Sequence, residues 1–236
     1  AHASLKGLPS AALAADQALR QWASSRGRAL ESGAASRQRR AGRVALTRAR
    51  GRPTQSTVDD DHSCKFVGFN TIVALDARAP RGARAYFELK IERCVGVVQV
   101  GWAGDMPATD VESGDGVGDD RASWGVDGIR LKKWHDGDQK YAPARAWRDG
   151  DVIGCAADLA TGDLQFALNG DWAGPDVMAF PNVPVPQDGL AAACTGGYGF
   201  SCVVNLGDRP WLFGPPSPAY VGVHEFRQRA VRGRLM

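Results

Sequence analysis

The sequence predicts an all-β fold: an antiparallel β-sandwich carrying a basic, partly helical N-terminal extension. Three observations lead there. Short apolar/polar alternations recur from about residue 62 onward, separated by Gly, Pro, Asp and Asn. No strong helical period appears over residues 64–207. Charge divides the chain in two. Residues 1–58 hold 11 Lys or Arg against Asp16 and Glu31, a net of +9; residues 59–236 hold 18 against 24 acids, a net of −6. The overall +3 conceals a basic arm in front of a mildly acidic body, and such arms favour polyanions or acidic partner surfaces. The expected division is an arm over 1–58, a sandwich over 59–222 and a basic tail over 223–236.

The elements follow in order. Residues 10–32, SAALAADQALRQWASSRGRALES, read as a helix with Ser10 as N-cap after Pro9 and good helix formers behind it. Its apolar stripe, Leu19 and Trp22, is thin, so the helix needs a partner surface. Residues 33–57 are basic and aperiodic, a linker or arm with a short strand candidate over 44–46. In AYFELKIERC, Phe87, Leu89 and Ile91 share one face and Glu88 and Lys90 the other. In GVVQVGWAG, Val98, Val100 and Trp102 oppose Gln99. DVIGCAADL, the turn ATGD and LQFALNG form a hairpin with Leu164, Phe166 and Leu168 on one side. GLAAAC and FSCVVNLG form a second pair. The proline-rich GDRPWLFGPPSPAYVGV packs aromatics without regular structure, and HEFRQRAVRGRLM frames a short helix or a frayed end.

Several function classes recede on these residues. No run of about 18 apolar residues exists, so no membrane-spanning helix is expected. Cys64, Cys94, Cys155, Cys194 and Cys202 are scattered and form no Cys-x-x-Cys pair; they read as reduced, buried thiols of an intracellular protein. The Arg-, Ser- and Ala-rich start also has the composition of an organellar transit segment, so a cytoplasmic and an organellar, mitochondrial location both fit. Among the histidines only His135 sits in a dense setting, in Trp134-His135-Asp136, yet neighbours on a strand face opposite ways. Gly-x-Ser-x-Gly is absent, and His135 reads as a structural residue near a turn. ESGDGVGDDRASWG, residues 112–125, lacks calcium-loop spacing and the Lys-Ser/Thr of a phosphate loop, so it reads as a solvated surface loop. No catalytic residue, metal, cofactor or small-molecule substrate is expected.

Two stretches point to partners. Arg37, Arg39, Arg40, Arg43, Arg48, Arg50 and Arg52 stand nearly unopposed and suit RNA phosphates or an acidic partner. CTGGYGFSCVV resembles an RNA-recognition strand in its Gly-Tyr-Gly-Phe. Its neighbours, however, are strands of a sandwich rather than a βαββαβ unit; Gly196 replaces the basic residue and Ser201-Cys202 breaks the Val-x-aromatic ending.

The central block SWGVDGIRLKKWHDGDQKYAPARAWRDGDVIGCAADLATGDLQFALNG resembles a SPRY domain. The recurring elements stand in order: aromatic-Gly-x-Asp-Gly at 124–128, Trp134-His135, Trp147 before Gly150-Asp151-Val152-Ile153-Gly154-Cys155, and Asp158-Leu159 leading to Phe166-x-Leu168-Asn169-Gly170. AYFELKI and VQVGWA upstream, and VVNLGDRPWLFGPP through Tyr220 downstream, extend the likeness over about 62–222. Ryanodine-receptor and Ran-binding SPRY domains are similar in style. Departures are Val117-Gly118-Asp119-Asp120 for the usual Leu-Gly-Asp/Ser-Asp, Gly189-Leu190-Ala191-Ala192 for Leu-Tyr-Pro, and the unmatched N-terminal extension.

The resemblance implies a bent, concanavalin-like jelly roll of two antiparallel sheets, without cofactor or catalysis, that binds peptides or protein surfaces through loops at one edge. In SOCS-box SPRY proteins a Trp-Gly pair lines the peptide site; Tyr198-Gly199 holds the similar position here. Loops 104–107 and 113–120 are expected at the same edge, adding Asp105, Met106, Asp115 and Asp119. The favoured expectation is an adaptor or scaffold module. The alternative is a structural subunit of a large assembly, an organellar ribonucleoprotein among them, whose arginine-rich arm contacts RNA or neighbouring chains.

Overall fold

The computed structural model describes residues 47–48, 56–60, 62–105, 107, 114–174 and 176–227. The expected helix over 10–32 and the strand candidate over 44–46 lie outside them. The chain enters through three short strands, β1 (Thr47–Arg48), β2 (Thr57–Val58) and β3 (Ser63–Lys65), then β4 (Asn70–Val73). A 3-10 turn at Leu75–Ala77 leads into the long β5 (Arg84–Arg93) and β6 (Val98–Ala103). β7 (Ser123–Asp127), β8 (Lys132–Trp134) and β9 (Asp138–Lys140) make a meander. β10 (Val152–Asp158) and β11 (Asp163–Leu168) are the expected hairpin, and β12 (Met178–Phe180), β13 (Ala191–Gly196), β14 (Ser201–Asn205) and β15 (Val221–Gly222) follow.

These strands build two sheets. One runs β1-β4-β13-β6-β7-β8-β9; the other runs β12-β11-β10-β5-β14-β3-β2, with β15 beside β5. All pairings are antiparallel except the two-residue β15–β5 ladder, which takes up β5 at Ala85 and Tyr86, beyond the point where β14 ends against Glu88. Among the described residues the only helical pieces are the turn at Leu75–Ala77 and a stretch over 223–227.

The alternation read from the sequence puts one set of residues between the sheets. Phe87, Leu89 and Ile91 of β5 meet Val98, Val100 and Trp102 of β6, Trp124 and Val126 of β7, and Leu164 and Phe166 of β11 in one buried cluster. The Phe87 and Trp102 rings meet edge-on, 5.0 Å apart at 74°, an arrangement favoured by the ring quadrupoles. Val223 and Phe226 belong to the same core. The packed unit therefore takes in β1 and β2 on one side of the expected boundaries and the start of the expected tail on the other.

Each outer face has a cover. On the first sheet the small residues Val73, Ala103, Ala191 and Ala193 pack beneath Val117. Gly125 is required there, because a side chain would overlap the Val117 carbonyl. On the second sheet the segment expected to be irregular forms a strap. Leu212, Phe213 and Gly214 donate backbone N–H groups to the Glu88 carboxylate at 2.8, 2.9 and 2.8 Å, and the Tyr86 hydroxyl donates at 3.0 Å. Trp211 and Trp172 pack edge-on against Tyr86. A carboxylate taken from water is tolerable here because charge-assisted hydrogen bonds replace its hydration.

Candidate functional site

Three loops meet at one end of the sandwich: 66–69 between β3 and β4, 94–97 between β5 and β6, and 197–200 between β13 and β14. Backbone hydrogen bonds knit them together: Phe66 N–H to Phe200 O (3.0 Å), Gly199 N–H to Phe66 O (3.0 Å) and Gly197 N–H to Val97 O (2.7 Å). Phe200 turns inward and packs on Phe66, with ring centroids 5.6 Å apart. Gly196 leaves room for that pair, since a Cβ there would strike both rings. Gly199 holds a φ of +85°, a backbone that a side chain rarely adopts. The sequence Gly-Tyr-Gly-Phe thus buries one aromatic and presents the other: Tyr198 is 78% exposed. Val67 beside it is 43% exposed, and half-buried Val95 and Val97 complete an apolar rim.

The other expected contacts fall in different places. Gln99 Nε2 and the Gly116 N–H donate to Asp119 Oδ2 at 2.9 and 2.7 Å. Next to it Thr195 Oγ1 accepts the Val117 N–H at 2.8 Å and lies 2.7 Å from Thr71 Oγ1. Asp119 therefore ties the covering loop to the sheet, one residue pair from the Val98–Gly196 end. Burial pushes its carboxyl above the ordinary value, against the opposing effect of the two hydrogen bonds. Asp115 is half-buried in the same loop.

The expectation that Asp105 shares the Tyr198 edge is corrected by the strand register. Val98 pairs with Gly196 and Ala103 with Ala191, so Asp105 follows the far end of β6. Five residue steps along the strand separate those ends by about 17 Å. Met106 lies outside the described residues. Of the arm arginines, Arg48 stands on β1 opposite Ile72; Arg37, Arg39, Arg40, Arg43, Arg50 and Arg52 lie outside the described residues.

The remaining motif residues are structural in this geometry. His135 Nδ1 lies 2.9 Å from the Ser123 carbonyl, and its ring stacks on Trp124 at 4.7 Å. Asp127 accepts the N–H groups of Ile129 and Arg130 and pairs with the Arg130 guanidinium at 2.6 Å, which closes the turn after β7. Asp151 holds Arg145 at 2.7 and 2.6 Å and also accepts from Asn169 Nδ2 and the Arg148 N–H. Burial raises the Asp151 carboxyl, but these bonds outweigh it and hold it below the ordinary carboxylate value. Cys155 and Cys202 are fully buried, which pushes their thiols up, away from nucleophilic chemistry. Among the described residues no cluster of three or more His, Cys, Asp or Glu is placed to hold a metal, and no helix is long and apolar enough to cross a membrane.

A family model for the SPRY domain matches residues 84–209, more than half of the chain. The chain belongs to the SPRY domain family. SPRY domains are in general protein–protein interaction modules, and the matched span runs from β5 through β14, taking in the Tyr198 loop. Among curated proteins, the E3 ubiquitin-protein ligase RKP of Arabidopsis thaliana is 33% identical over 128 residues. Those residues are 54% of this chain and 10% of that protein, so the match spans a tenth of the relative's length.

Sequence reasoning named Tyr198 and did not name the residues that surround it. Val67 and Val95 join it only through pairing between distant strands. Their local signal is a pair of Gly-centred apolar turns, KFVGFN and RCVGVV, each bridging two strands.

Proposed function

We propose that this SPRY module is a non-catalytic adaptor that holds a protein partner through the Tyr198 end of the sandwich. The observation that carries the reading is the exposure of Tyr198 on a loop pinned from both sides by backbone hydrogen bonds. A tyrosine side chain has few rotatable bonds to fix on docking, and aromatics dominate interface energies. Asp119 supports the neighbouring loop, and Gly199 permits the turn that displays the ring. The ligase relative suits this role, because a ubiquitin ligase needs a surface that selects its target; the proposed contribution of this module is such a selecting surface.

The test begins with proteins captured by the intact chain and lost by Tyr198→Ala. Each is then purified and titrated against both forms. Tyr198→Ala should weaken the binary complex by about 2 kcal/mol, roughly thirtyfold in Kd. A partner bound equally well by the variant would remove Tyr198 from the site.

A further inference from the structure

The Tyr198 end carries a row of cations beside its apolar rim. Ser201, the first residue of β14, pairs with Lys65 on β3 and with Arg93 on β5. Lys65 and Arg93 therefore flank it from two strands, about 10 Å apart. Arg148 extends the row, because the next residue, Asp149, accepts the Cys94 N–H at 2.6 Å and brings that turn against the end of β5. All three side chains are exposed, and among the described residues none of them enters an ion pair. Two acids lie close by: exposed Asp149, whose carboxylate accepts the Cys94 N–H, and half-buried Glu92, which has a contact of its own. The exposed apolar pair, Tyr198 and Val67, stands beside this row on the two loops that flank Phe66 and Phe200.

We propose that the partner segment is acidic: a short extended peptide that sets Asp or Glu side chains against Lys65, Arg93 and Arg148 and an apolar side chain against Tyr198 and Val67. This rests on the adaptor reading above and adds the chemistry of the ligand. The span from Lys65 to Arg93 equals about three residues of extended chain. Charge complementarity at a rim steers association and selects among partners. A peptide fits better than a nucleic acid because residues 59–236 carry a net −6. A long polyanion meets that field as a whole, whereas a short acidic segment meets the local cations within a Debye length of about 10 Å.

The experiment uses the full chain and fluorescent synthetic peptides with one central Leu or Phe flanked by Asp and Glu. Matched peptides carry Ser or Lys in place of the acids, and oligouridine is the RNA probe. Acidic peptides should bind, Ser and Lys peptides should not, and affinity should fall as salt rises from about 0.05 to 0.5 M. Lys65→Glu with Arg93→Glu should weaken binding about tenfold or more, while Lys65→Arg with Arg93→Lys should preserve it. Equal binding of acidic and Ser peptides, still lost in Tyr198→Ala, would overturn the acidic ligand and leave the Tyr198 edge standing. Binding lost on charge reversal but untouched by Tyr198→Ala would keep the cation row and remove the anchor. Oligouridine held more tightly than any peptide and lost with Lys65→Glu and Arg93→Glu, or no peptide binding at all, would overturn the proposal.

Discussion

A methyl group added at Gly128 would overlap several atoms of the Trp147 indole, and Trp147 is itself buried. The aromatic-Gly-x-Asp-Gly block is therefore a set of fitted parts. Trp124 fills the core and stacks on His135, Gly125 lets the covering loop pass, Asp127 closes the turn, and Gly128 clears space for Trp147. Overpacking a tight site costs about 1–3 kcal/mol. Gly128→Ala should lower stability by that amount, read as a lower urea midpoint at unchanged slope, because the ring has to leave its place. An unchanged midpoint would show that Trp147 relaxes freely. At this scale the sequence was informative in an indirect way. The letters of the block identified the family before any contact was known, while the reason for Gly128 depends on a tryptophan 19 positions away.

Among the elements, the strap over β5 tests how far a strand pattern can be read. Alternation placed Glu88 on the polar face of its strand, and the structure keeps it there. The expected surroundings of a polar face are water, yet Glu88 is almost fully buried under Leu212–Gly214, more than 120 residues along the chain. Local periodicity reports which side a residue faces and carries no information on what covers that side. The same limit explains Asp105. The loops before and after a strand must lie at opposite ends, but only the β13–β6 pairing shows which end of β6 receives Tyr198. The hairpin β10–β11 was legible because both strands and their turn are contiguous. Glu88→Ala would strip three backbone N–H groups of their acceptor, at about 1–3 kcal/mol for each group left buried. Its amides at Leu212–Gly214 should exchange with solvent much faster than in the parent protein, with Glu88→Gln intermediate. Full protection of those amides in Glu88→Ala would mean that the aromatic packing of Trp211 and Trp172 alone holds the strap.

On the scale of the whole molecule, Asp151 and Asp158, each tied to an arginine, and Asp119 of the covering loop act on stability in opposite directions as pH changes. Asp151 and Asp158 have carboxyls held below their ordinary value; in each, burial pushes up and is outweighed by hydrogen bonds, chiefly from Arg145 and Arg84 respectively. The unfolded chain then takes up a proton at higher pH than the folded one. Their stabilisation is complete above the ordinary carboxylate value, about 3.9, and is lost as pH falls through the folded values. Asp158 contributes less, because its partner Arg84 is about half exposed and screened by solvent. Asp119 is shifted up by burial, so its ionisation costs stability as pH rises from the ordinary value through the folded one. Thermal melts from about pH 3 to pH 7 separate the two effects. Asp151→Asn should be destabilised at neutral pH, because it loses the buried pairing with Arg145, and its melting temperature should fall less than the parent's on acidification. Asp119→Asn keeps an oxygen acceptor for Gln99 and Gly116, so it should match or exceed the parent at neutral pH, and any gain should shrink as acid protonates the parent's Asp119. A parent-like acid limb in Asp151→Asn would mean that other carboxylates carry the acid sensitivity of the sandwich, and a neutral-pH loss in Asp119→Asn would mean that the charge at Asp119 helps to hold the covering loop.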